Sequence, residues 1–122
     1  MKELTKAEKE IMQVLWEIEK GFVKDILECL PEPKPAYNTV STIVRILEAK
    51  GFVDHKAYGK THEYFPAVSK EEYRRFVTED IVENYFGGSV TDLVSFFVKE
   101  KEISVKELDE LLKEMNKKPG KK

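Results

Sequence analysis

Tyr37-Asn38-Thr39-Val40-Ser41-Thr42-Ile43-Val44-Arg45-Ile46-Leu47-Glu48-Ala49-Lys50-Gly51 is the stretch on which the fold turns. At about 100° per residue, Val40, Ile43, Val44 and Leu47 gather on one side, so a helix is expected from roughly Asn38 to Lys50. The far face then holds Asn38, Ser41, Thr42, Arg45 and Ala49, with Thr39 and Ile46 at one margin. A solvated helix side is usually filled with Glu and Lys. This one carries short hydroxyl and amide side chains and a single Arg, although Thr and Ser are mediocre helix formers. Something other than helix stability placed them there.

Upstream of this helix, Thr5 and Glu8 form a capping-box pattern that starts a first helix. Ile11, Val14, Leu15 and Ile18 recur along it with Trp16 beside them, and Gly21 is expected to end it. A shorter second helix carries Val23, Ile26, Leu27 and Leu30 on one face, with Cys29 near that face and expected to pack in the core. Pro31, Pro33 and Pro35 then impose a turn. Downstream, Gly51 is the expected stop of the third helix. Two runs rich in strand formers, Phe52–Tyr58 and Thr61–Pro66, flank Gly59-Lys60 and predict a β-hairpin with Lys56, Tyr58 and Lys60 at its tip.

Three helices followed by a hairpin is the order of a winged helix-turn-helix, expected over residues 1–68. In that arrangement the third helix enters the major groove of double-stranded DNA, and the hairpin meets the neighbouring backbone. The candidate DNA contacts are Asn38, Thr39, Ser41, Thr42, Arg45, Lys56, Tyr58 and Lys60. The alternative is a winged-helix module that binds another protein without DNA.

From Ser69 the pattern returns to helix. Ser69-Lys70-Glu71-Glu72 and Ser104-Val105-Lys106-Glu107 are cap patterns, and Gly87-Gly88 separates the first segment from a strongly apolar run around Phe96-Phe97-Val98. Short helices of this kind make a poor globule alone, so residues 69–118 are expected to pair with a second copy of the chain. The expected interface comprises Tyr85, Phe86, Leu93, Val94, Phe96, Phe97, Leu108, Leu111 and Leu112, and residues 119–122 are expected to be a disordered tail. The fold class is thus mainly α with a small β-hairpin wing: a winged helix-turn-helix plus a C-terminal helical dimerisation domain.

The 122-residue chain has a net charge of −2, which by itself does not favour a nucleic-acid partner. Its distribution does. Residues 34–65 carry 5 basic and 3 acidic side chains, whereas residues 1–33 carry 5 and 8, and residues 66–122 carry 11 and 12. Phosphate contacts are therefore expected in the middle third. No apolar run reaches the roughly 18 residues of a membrane span, and no signal peptide is expected at the N-terminus. A lone cysteine, Cys29, forms no internal disulfide or thiolate cluster, and a cytoplasmic location is the default. His55, His62, Glu63 and Cys29 lack metal-ligand spacing, so no metal and no cofactor are expected. There is no nucleophile elbow, phosphate-cradling glycine loop or HExxH, so no enzyme is expected.

Taken in order, Leu4-Thr5-Lys6-Ala7-Glu8, Val14-Leu15-Trp16, Tyr37-Asn38-Thr39-Val40-Ser41-Thr42, Leu47-Glu48-Ala49-Lys50-Gly51-Phe52-Val53, Tyr64-Phe65-Pro66 and Gly87-Gly88 resemble the penicillinase-repressor family of bacterial regulators. The resemblance implies a homodimer that binds a palindromic operator and represses antibiotic-resistance or metal-efflux genes. It also implies a recognition helix at Asn38 to Lys50 and a dimerisation region from Lys70 to Met115. The copper-responsive branch of the family uses paired C-terminal cysteines, which this chain lacks. The β-lactam-responsive branch is released by a sensor protease cutting an Asn-Phe bond. That bond matches Phe96-Phe97 here, the candidate position for proteolytic release, without the Asn. Ile46 stands where relatives often carry Arg, so their operator sequence does not transfer.

Overall fold

The computed structural model describes residues 1–101, 104–107, 109–110 and 113. The chain divides into two compact units, Met1–Val77 and Thr78–Lys122. Its elements run α1 (Lys6–Ile18), α2 (Val23–Cys29), α3 (Tyr37–Ala49), β1 (Val53–Tyr58), β2 (Thr61–Pro66), α4 (Lys70–Tyr85) and α5 (Val90–Lys101). Mostly helical with one antiparallel hairpin after three helices, this is the expected winged helix-turn-helix order, followed along the chain by C-terminal helices.

α1 starts where its capping box predicts. The Thr5 N–H donates to Glu8 Oε1 at 2.9 Å, and the Glu8 N–H donates to Thr5 Oγ1 at 3.2 Å. Ile11, Met12, Val14 and Leu15 then face the core. The end of α1 departs from expectation. The helix stops at Ile18, and Glu19, not Gly21, takes a positive φ of 75°. Gly21 answers a packing need instead. Its N–H and C=O exchange hydrogen bonds with Tyr64 at 2.9 and 2.8 Å, and a Cβ there would lie 2.9 Å from Ile18 Cδ1.

α2 buries Val23 and Ile26, with Leu30 following them into the core. Cys29, expected to pack there, is exposed: it lies about 100° round the helix from Leu30, which takes the core position. The Lys34 ammonium closes the end of α2, donating to the carbonyls of Leu27, Glu28 and Leu30 at 3.3, 2.9 and 2.6 Å.

α3 buries Val40, Val44 and Leu47 completely. Gly51, with φ 88°, ends it in a Schellman motif: the Phe52 N–H donates to Leu47 O at 2.9 Å and the Gly51 N–H to Glu48 O at 3.0 Å. Phe52 and Val53 drop into the core from this turn. β1 and β2 pair from Val53↔Pro66 to Tyr58↔Thr61, leaving Gly59-Lys60 as a two-residue loop. The positive φ of 65° falls on Gly59, the first loop position, as a type II′ hairpin turn requires.

The first unit takes in the opening half of α4. Ser69 and Glu72 cap it reciprocally. The Tyr73 ring then packs against Phe52 and Trp16, while its hydroxyl accepts a hydrogen bond from the Leu4 N–H at 2.8 Å. Trp16 Nε1 donates to Val68 O at 2.9 Å, fastening the α4 approach to α1.

In the second unit, α4 ends at Gly87-Gly88, both with positive φ, and Ser89 caps α5 through the Asp92 N–H at 3.0 Å. Val82 is buried there, and the Phe86, Phe96 and Phe97 rings form a chain with centroids 5.7 and 6.1 Å apart. No α5 side chain from Val90 to Glu100 is buried within the single chain. Ser104 and Glu107 form the second C-terminal capping box. Leu108, Leu111 and Leu112, expected in the interface, and the expected tail at residues 119–122 lie outside the described residues.

Candidate nucleic-acid interface

A groove of about 580 Å³ opens between the start of α2, the exposed side of α3 and the hairpin. α3 contributes Tyr37, Asn38, Ser41 and Arg45, placed on one side of the helix because Val40, Val44 and Leu47 hold the other side in the core. The hairpin contributes Lys60, Thr61, His62 and Tyr64. Phe22, Val23 and Lys24 complete the wall at α2. Lys24, Arg45 and Lys60 thus converge on one concavity, and no carboxylate is among its lining residues. Such a site favours an anion of the groove's width, and its low-dielectric walls focus the field.

Arg45 is exposed and oriented by a hydrogen bond from Nη2 to Ser41 Oγ at 3.3 Å. Tyr64 forms the buried floor beneath it. Burial and the Glu48 charge push the Tyr64 hydroxyl pKa up, against the opposing Arg45 charge and hydrogen bond.

The hairpin is fastened to α3 at the far end of the groove. His55 Nδ1 meets Glu48 Oε2 at 2.5 Å, and the His55 ring stacks on His62 at 4.0 Å with an interplanar angle of 5°. His55, Asp54 and Glu48 bring potential ligand atoms within 4.8 Å of one another, a grouping across α3 and β1 that linear spacing conceals. Glu48 and His55 already pair with each other there. At the hairpin tip, Tyr58 packs edge-on against Phe22 at 5.9 Å, and Lys56 Nζ lies 5.4 Å from the Tyr58 ring centre.

Of the residues singled out in the sequence, Asn38, Ser41, Arg45 and Lys60 share the groove. Thr39 and Thr42 are exposed on α3 outside it. Lys56 and Tyr58 do not line it, but Tyr58 braces its rim through Phe22. Sequence reasoning missed Lys24, Tyr37, Thr61 and His62. The period-2 alternation of a strand that places His62 on the same face as Tyr64 could have found His62. Lys24 carried no such signal, because it lies in the acidic first third of the chain.

A family model described as "Penicillinase repressor" matches residues 4–117. The methicillin resistance regulatory protein MecI of Staphylococcus aureus (strain N315) is 27% identical over 117 residues, covering 95% of each chain. Its counterpart from Mammaliicoccus sciuri is 26% identical over 117 residues, again 95% of each. The penicillinase repressor of Bacillus licheniformis is 22% identical over 110 residues, 89% of this chain and 86% of that one.

Proposed function

This chain belongs to the penicillinase repressor family, and from that premise we propose that it represses transcription as a homodimer bound to a palindromic DNA operator. The observation that carries the reading is the groove: three cations and no carboxylate, set beside a helix face of short polar side chains. In this reading Asn38, Thr39, Ser41 and Thr42 contact base edges or phosphates, and Arg45 pairs with a phosphate or a guanine. Lys56, Tyr58 and Lys60 engage the backbone through the hairpin, and Lys24 joins them from α2.

Pairing of two chains is supported by the second unit. Tyr85 is 77% exposed, Phe96 48% and Phe97 44% in the single chain. Phe86, Leu93 and Val94 are only half-covered. Apolar side chains at this density call for a covering surface, and a second copy supplies it through a two-fold contact. The regulated genes are of the antibiotic-resistance or related stress type, as similarity to a methicillin resistance regulator and a penicillinase repressor suggests. The proposed site of action is the cytoplasm, where a bacterial DNA-bound repressor meets its operator. Among the described residues no helix is long and apolar enough to cross a membrane. Release by a sensor protease cutting near Phe96-Phe97 would act by severing the pairing segment and so removing the second half-site.

Arg45→Ala and Thr42→Ala are each expected to weaken operator binding by about 1–3 kcal/mol in a titration of labelled duplex. Unchanged binding in both variants removes α3 from the interface and favours a winged helix that binds protein alone.

A further inference from the structure

Ile46 is a large aliphatic side chain left 42% exposed on α3. A single exposed aliphatic residue is ordinary on a protein surface. Its position here is what carries information. The inner side of α3 is filled by Val40, Val44 and Leu47, and the groove edge is occupied by Ser41 and Arg45. Ile46 stands on the opposite edge, about 100° round the helix from Arg45 and outside the groove. Thr42, one turn earlier, and Thr39 are exposed on that same edge and carry methyl groups beside their hydroxyls. α3 therefore has two chemically different edges. One is polar and cationic and faces the hairpin; the other carries methyl-bearing side chains from Thr39 through Ile46, with Lys50 one turn further on paired to Glu8, and faces away.

The major groove is likewise of two kinds. It displays hydrogen-bonding atoms on every base pair and one apolar group, the C5-methyl of thymine. Resting on the reading of α3 as the DNA-contacting helix, we propose that Ile46 is a specificity-determining residue that packs against a thymine methyl group in each half-site. The branched side chain neither donates nor accepts a hydrogen bond. Cytosine at the same place lacks the methyl and presents an N4 amino group, which would lose water against Ile46 without gaining a partner. Ile46 thus selects T·A over C·G through a favourable contact and a desolvation penalty together, where an arginine would select guanine.

The test uses the full chain and a duplex recovered by selection of bound genomic fragments. Each thymine is replaced in turn by deoxyuridine, symmetrically in both half-sites, which removes the methyl and nothing else. The expected result is one thymine position at which the wild-type chain loses about fourfold in affinity per methyl removed. At that position Ile46→Ala binds the thymine and uracil duplexes equally, within about twofold. Wild-type binding that is insensitive to uracil everywhere overturns the proposal. So does a sensitivity that persists unchanged in Ile46→Ala. Failure of the wild-type chain to select any duplex removes the DNA-binding reading itself, a different outcome from either of these.

Discussion

Glu8 joins two parts of the first unit that are far apart in the chain. Its carboxylate closes the α1 capping box with Thr5 and also accepts from Lys50 Nζ at 3.0 and 2.8 Å, tying the start of α1 to the end of α3. It is the one buried charged side chain among the described residues. Burial pushes its pKa up, but the Lys50 and Thr5 hydrogen bonds and the Lys50 charge outweigh this and hold the carboxyl below its ordinary value. A folded pKa below the unfolded one means the stabilisation is complete above the unfolded value and is lost as pH falls through the folded one. Glu8→Gln is therefore expected to cost about 1–3 kcal/mol at pH 7 in denaturant unfolding. The gap to wild type should narrow as pH drops through the carboxylate range; a gap independent of pH would show that the charge of Glu8 does not matter. The Thr5–Glu8 half of this device was legible in the sequence, since it lies within four residues. Lys50 was not, because a partner 42 positions away leaves no local pattern. Gly21 was misread for a related reason: its lack of a side chain answers to Ile18 and Tyr64 in space, not to a helix end.

Among the elements, α3 and the hairpin were readable because each follows one strong period and ends at a glycine whose conformation it needs, Gly51 and Gly59. What the sequence left hidden is how their side chains converge. The groove draws Lys24 from a net-acidic segment, Arg45 from a helix and Lys60 from a turn, so no linear charge cluster announces it. In the sequence the histidines stand out only as lacking metal-ligand spacing, yet His55 and His62 stack and clasp β1 to α3 through Glu48. If the groove seats a DNA strand, Lys24→Ala and Lys60→Ala should each weaken binding evenly across sequences. Each should also reduce the slope of log affinity against log salt by about 1. A slope unchanged in both variants would place the phosphates elsewhere.

For the whole molecule, the division into a DNA-facing unit and a pairing unit is a proposal about two copies of the chain. The first unit closes its own core around Leu15, Ile26, Val44 and Phe52, as the periodicity of its helices foretold. The second does not: Val82 is its one buried apolar side chain among the described residues. That contrast gives physical content to the reading of Phe96 and Phe97 as interface residues, which sequence alone grounded only in apolar density. The most direct measurement is selection of genomic fragments by the full chain, followed by footprinting and by stoichiometry on the recovered duplex. Two chains per duplex are predicted, on an inverted repeat whose half-sites lie about one helical turn or a multiple of it apart, with affinity falling steeply as salt rises. Recovered fragments that share no inverted repeat, or one chain bound per duplex at full affinity, would contradict the account.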